Sequence, residues 1–145
     1  MANKGIKVLI INGPNLNLLG TREPKLYGNR AFGKFLSTLQ EEYEDIELEY
    51  FQSNHEGELI DRIHQARSGY DGVVFNPGAF AHTSIALRDA IMAVDVPIIE
   101  VHITNVFARE SFRSKLILAD ACMGVITGLG LEGYRLAVER FRLEH

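Results

Sequence analysis

At 145 residues, with 46% hydrophobic and 23% charged side chains, the chain is the size of one domain with a full core of its own. A formal net charge of -4 and scattered basic residues argue against a nucleic-acid surface, which needs a basic face. The single cysteine, Cys122, excludes an internal disulfide and fits a reducing compartment. The apolar run near the amino terminus is too short for a signal-peptide core or a membrane span, so a cytoplasmic protein is expected.

Taken in order, the chain alternates strand and helix. A buried first strand is expected over Ile6 to Asn12. An aperiodic stretch follows, NGPNLNLLGTREPKLYG from Asn12 to Gly28, punctuated by Pro14, Gly20, Pro24 and Gly28. A loop that long tends to be a lid or a binding segment, and this one carries Asn15, Arg22 and Tyr27. A helix is predicted from about Arg30 to Glu44, with Asn29 as its cap and Phe32, Phe35, Leu36 and Leu39 on one face. The second strand, Ile46 to Phe51, alternates apolar and acidic residues, so one face is solvated and the strand belongs at an edge. Ser53-x-x-Glu56 reads as a capping box for a helix over Glu56 to Ser68, with Leu59, Ile60 and Ile63 facing inward and Gly69 ending it.

The third strand, Gly72 to Asn76, is a continuous apolar run, as a central parallel strand requires, and ends at the turn Pro77-Gly78. There follow a helix over Thr83 to Val94, a strand over Pro97 to His102, and a short helix near Arg109 to Leu118 that sets Arg109 and Arg113 one turn apart. A fifth strand, Gly124 to Thr127, and an amphipathic helix from Leu131 to Glu144 complete the chain. The alternation predicts a single α/β domain over residues 1–145. Its form is a three-layer sandwich around a five-stranded parallel sheet in the flavodoxin-like order 2-1-3-4-5.

In such a sheet ligands bind beyond the carboxyl ends of the strands, where strand order reverses. Asn12, Asn15, Arg22 and Tyr27 follow the first strand, and Asn76, Gly78 and His82 the third, with Asp89 two turns into the next helix. Glu100, His102, Thr104 and Asn105 end the fourth, with Arg109 and Arg113 beyond. Glu100 is the costliest placement, a carboxylate on a strand covered on both sides. It is either half of a structural ion pair or a group that orients a neighbouring side chain or water. His55, His64 and Cys122 lack such company and read as surface or structural residues.

Two cofactor motifs fail on context. Gly128-Leu-Gly130-Leu-Glu-Gly133 fits a dinucleotide fingerprint but sits at the end of the chain, with no later strand for the acidic partner. Its glycines suit a turn and close helix–sheet packing. Gly28-x4-Gly33-Lys34 resembles a phosphate loop, yet Phe35 stands where a magnesium-binding hydroxyl belongs. A metal site built from His82, His102, Glu100 and Asp89 has the right ligand types but none of the paired spacings, and the accompanying arginines favour an organic anion. A flavin site wants a short Ser/Thr/Gly loop after the first strand, and a receiver domain wants acidic residues where Asn12 and Asn76 stand.

Four blocks carry a family resemblance: NGPNLNLLGTREPKLYG, NPGAFAHTSIALRDA (Asn76 to Ala90), IEVHITNVFARESFR (Ile99 to Arg113) and GLGLEGY (Gly128 to Tyr134). In this order and spacing they closely resemble the type II 3-dehydroquinate dehydratases, over nearly the whole chain. The resemblance implies a flavodoxin-like fold, interconversion of 3-dehydroquinate with 3-dehydroshikimate and water, no metal or organic cofactor, and assembly as a dodecamer, a tetramer of trimers. It casts Tyr27 as general base, Arg22 as the cation that favours its phenolate, and Asn15 as holder of the water that meets the enolate oxygen. His102 matches the general acid, and Glu100 holds the catalytic group in register. Asn76 and the backbone N–H groups of Ile103 and Thr104 resemble a carboxylate cradle, with Gly78 at its turn. His82, Asp89 and Arg113 resemble the ligands of the ring hydroxyls, Asp89 reaching in from a neighbouring subunit, and Arg109 is cast in a supporting role. Thr104 stands where some relatives have serine, with little expected effect because the backbone does the binding.

Overall fold

The computed structural model describes residues 5–21, 25 and 31–145. Five strands, β1 (Ile6–Asn12), β2 (Ile46–Gln52), β3 (Gly72–Asn76), β4 (Ile98–His102) and β5 (Gly124–Thr127), form one sheet in the order β2-β1-β3-β4-β5. Every adjacent pair is parallel. This is the predicted order, and it places the reversal between β1 and β3. Among the described residues four helices flank the sheet: α1 (Phe32–Glu42), α2 (Glu56–Gln65), α3 (Ile85–Met92) and α4 (Glu132–Leu143).

The pleat divides the apolar residues between two cores. On one face Val8, Ile10, Val74, Ile99 and Val101 pack under α1 and α4, through Phe32, Phe35 and Leu39 of the first and Tyr134, Ala137, Val138 and Phe141 of the second. On the other, Leu9, Ile11, Val73, Phe75 and Ile98 pack under α2 and α3. Strands β3 and β4 are buried along their full length, which accounts for their unbroken apolar letters. At the edge, Glu47 of β2 is exposed and Glu49 half-buried, and they pair with Lys7 at 3.2 and 3.1 Å. The solvated acidic face predicted for that strand is therefore present.

Two local expectations need correction. Ser53 and Glu56 form no capping box: the cap position of α2 is His55, without a side-chain cap bond. Ser53 instead accepts the His55 N–H and bonds Glu58, while the carboxylate of Glu56 is taken by Ser84, the true cap of α3. The helix expected from Arg109 to Leu118 is also absent. Short 3-10 turns at Val106–Ala108, Ser111–Ser114 and Ala119–Ala121 carry the chain across the end of the sheet. Extended backbone at Arg109, Glu110 and Lys115 separates them, and Ile117 donates to the carbonyl of Ala81, so tertiary pairing replaces helical bonds. The cap predicted at Asn29 and the start at Arg30 lie outside the described residues.

Candidate active site

The carboxyl ends of β1, β3 and β4 enclose a cleft of about 90 Å³. Three stretches of chain build it. After β1, Gly13 donates to the carbonyl of Asn76 at 2.8 Å, and a Cβ on Gly13 would fall 2.6 Å from the Pro77 oxygen. Only glycine lets the two strand ends approach so closely. Asn15 then adopts a left-handed backbone, φ 69°, a conformation asparagine tolerates better than most residues. Its N–H is held by the Asn54 side chain at 3.0 Å, and Gln52 bonds both Asn54 and the carbonyl of Gly13.

From β3 come Asn76 and the turn at Pro77-Gly78. Gly78 is left-handed (φ 60°), and its N–H donates to Asn76 Oδ1 at 3.1 Å. Asn76 Nδ2 donates to the buried Tyr134 hydroxyl at 2.8 Å. His82 closes this side. Its Nδ1 lies 3.0 Å from the Lys115 carbonyl, so this nitrogen carries the proton and Nε2 is left for a ligand.

From β4 come His102, Ile103 and Thr104. Glu100 and His102 share one face of the strand, and the carboxylate accepts from His102 Nε2 at 2.6 Å. Glu100 is fully buried and lies behind the cleft rather than in it. The geometry joins Glu100 to an imidazole that lines the cleft through one short hydrogen bond. The other carboxylate oxygen lies 4.0 Å from Cys122 Sγ. Burial first, then the nearby Glu100 charge, pushes the Cys122 thiol up to about 12, so it is no nucleophile. The His82 and His102 rings stack with centroids 6.4 Å apart.

Arg109 and Arg113 bring positive charge to the cleft. Glu110 sits between them, 3.7 Å from Arg109 Nε and 3.1 Å from Arg113 Nε, and Arg109 also reaches Thr104 Oγ1 at 3.3 Å. Its own backbone amide and the Arg113 guanidinium hold the Glu110 carboxyl below the usual range. Asp89 lies on the exposed face of α3 and does not line this cleft. Arg22 and Tyr27 lie outside the described residues. Sequence reasoning missed Glu110, Asn54 and Tyr134 as neighbours of the site. The flanking Arg109 and Arg113 were a signal for Glu110, and a lone hydroxyl on the buried stripe of the last helix was one for Tyr134. Among the described residues no three His, Cys, Asp or Glu side chains converge as a metal site.

The glycines after β5 do structural work. Gly128 and Gly130 have φ of 88° and 65°, Gly130 donates to the Ile103 carbonyl at 3.0 Å, and a Cβ on Gly128 would meet Asn105 at 3.0 Å. This segment buttresses the loop after β4 rather than cradling a nucleotide.

A parallel sheet in this order with polar residues gathered at its reversal point defines a doubly wound α/β protein that binds a small ligand beyond its strand ends. The chain belongs to the Dehydroquinase class II family, whose profile matches residues 6–142. It is 55% identical over 132 residues to a 3-dehydroquinate dehydratase of Bacillus pumilus, covering 90% of each chain. It is 51% identical over 141 residues to a catabolic 3-dehydroquinase of Aspergillus clavatus, covering 96% of this chain and 94% of the relative. The crystal structure of a type II dehydroquinase from Butyrivibrio crossotus superimposes with a TM-score of 0.91 at 46% identity, over 94% of this chain and 97% of that one.

Proposed function

We propose that this chain is a type II 3-dehydroquinate dehydratase, a hydro-lyase that eliminates water from 3-dehydroquinate to give 3-dehydroshikimate. The observation that carries the reading is the His102 imidazole, anchored at 2.6 Å by fully buried Glu100 and opening on a cleft flanked by two arginines. That arrangement suits delivery of a proton to a departing hydroxyl beside an anionic substrate.

In this reading Tyr27, as phenolate, takes the proton from the carbon next to the ketone. The electron pair moves into an enolate, and Arg22 favours both the phenolate and the developing charge. A water held by Asn15 donates to the enolate oxygen. The enolate then collapses as His102 protonates the leaving hydroxyl, which departs as water. The ring carboxylate is taken by Asn76 and the backbone N–H groups of Ile103 and Thr104. His82, Arg113 and Asp89 of a neighbouring subunit take the ring hydroxyls, and Arg109 supports the cleft, with Glu110 spacing the two guanidinium groups. No cofactor is needed, and residues 1–145 act as one catalytic domain in a cytoplasmic homo-oligomer, a dodecamer built as a tetramer of trimers. Among the described residues no helix is long and apolar enough to cross a membrane. The same elimination serves the shikimate route and quinate breakdown.

The test is direct. With 3-dehydroquinate added, the ultraviolet absorption of a conjugated enone grows at a rate unchanged by chelators. Tyr27→Phe lowers turnover by about 10²–10⁴-fold, the usual share of a proton-transfer residue, with substrate affinity largely kept. Silence on substrate addition would refute the activity, and near-normal turnover in Tyr27→Phe would remove Tyr27 as base.

A further inference from the structure

Tyr134 takes no part in the reaction as set out above, yet its hydroxyl lies directly behind the cleft. It projects from α4 with no solvent exposure, its ring edge-on to Phe32 with centroids 4.9 Å apart. The hydroxyl donates to Asn12 Oδ1 at 2.7 Å and accepts from Asn76 Nδ2 at 2.8 Å. Asn12 Nδ2 in turn donates to Tyr50 Oη at 3.2 Å, so one polar chain runs from the edge strand to the cleft wall.

A phenol has one hydrogen to give. Here it is committed to a carbonyl oxygen, so toward Asn76 the hydroxyl can only accept. The atom of Asn76 that meets it must be nitrogen. From the other side the Gly78 N–H demands an oxygen. Turning the amide over would set oxygen against oxygen and N–H against N–H, leaving buried groups unpaired. We infer that Tyr134 is a positioning residue: it fixes the Asn76 amide so that its second hydrogen, and not its oxygen, faces the carboxylate of the substrate. The inference rests on reading Asn76 as a carboxylate ligand. A carboxylate accepts only, so an inverted amide would repel it. Burial also drives the acidity of the Tyr134 phenol far down, which keeps this relay neutral and its polarity constant across the working pH range.

The test is a double-mutant cycle on the kinetics. Tyr134→Phe keeps the ring and removes the hydroxyl. It is expected to raise KM roughly tenfold, with kcat changed far less and the pH profile keeping its shape. In an Asn76→Ala background the same substitution is expected to change KM by less than about twofold, because the group it orients is gone. Asn12→Ala, which frees the phenol hydrogen to turn toward Asn76, gives a second route to the same coupling should Tyr134→Phe fold poorly. Equal KM effects of Tyr134→Phe and Asn12→Ala with and without Asn76 would mark a merely structural role and overturn the inference alone. An unchanged KM in Asn76→Ala by itself would overturn the carboxylate reading beneath it.

Discussion

Glu100 is a carboxylate with no solvent exposure, and such a group survives in a core only beside a partner that offsets its desolvation. His102 is that partner, and the contact at 2.6 Å takes up its Nε2. The two substitutions should therefore differ in size. His102→Ala removes the proposed proton donor and is expected to lower kcat by about 10²–10⁴-fold. Glu100→Gln keeps the shape and a hydrogen-bonding oxygen but loses the carboxylate charge, and should lower kcat by a smaller factor. Steady-state kinetics on the folded variants decide it. A Glu100→Gln enzyme as active as the unsubstituted chain would reduce Glu100 to a packing group.

Glycine placement separates the elements that tolerate change from those that do not. Gly33 lies in α1, exposed, with nothing within 4 Å of an added Cβ, so Gly33→Ala should stabilise the protein by about 0.5–1 kcal/mol through helix propensity and a less flexible unfolded chain. Gly13 is the opposite case. Its added methyl group would drive into the Pro77 backbone, and Gly13→Ala should destabilise by about 1–3 kcal/mol while deforming the cleft. Urea denaturation of both variants checks the pair, and opposite signs are expected. The strands and their order were legible in the letters because burial on both faces leaves β3 and β4 no polar residue except those at the site. What sequence reasoning could not supply was set by tertiary pairing. Ser84 competes with Ser53 for Glu56, and the bond from Ile117 to Ala81 pulls residues 109–118 out of a helix that their composition allows. The site reads the same way. Asn15, His82 and His102 announce themselves at strand ends, whereas Glu110 and Tyr134 matter only through neighbours that folding brings to them.

Among the described residues, burial holds the acidic protons of Cys122, Tyr43, Tyr50 and Tyr134 more tightly than the unfolded chain would. The Cys122 thiol is raised from 9.0 to about 12 and the Tyr43 phenol from 10.0 to about 12, both chiefly by burial, and Tyr134 moves further in the same direction. The folded state thus binds more protons than the unfolded one once pH passes about 9, so stability falls as pH rises through that window toward 12. Thermal midpoints are expected to stay level to about pH 8.5 and then decline, with Cys122→Ala flattening the first part of the decline. A midpoint constant from pH 8 to 11 would contradict this.

The cleft is walled by residues 14–16, 76–82 and 102–113, which leave the three innermost strands of the sheet. Whatever it grips acts like a bolt through three planks: none can peel off until the bolt is drawn, and the protection grows with the logarithm of ligand concentration. Resistance to heat is then tied to ligand supply, greatest when the bound molecule is plentiful and least when it runs out.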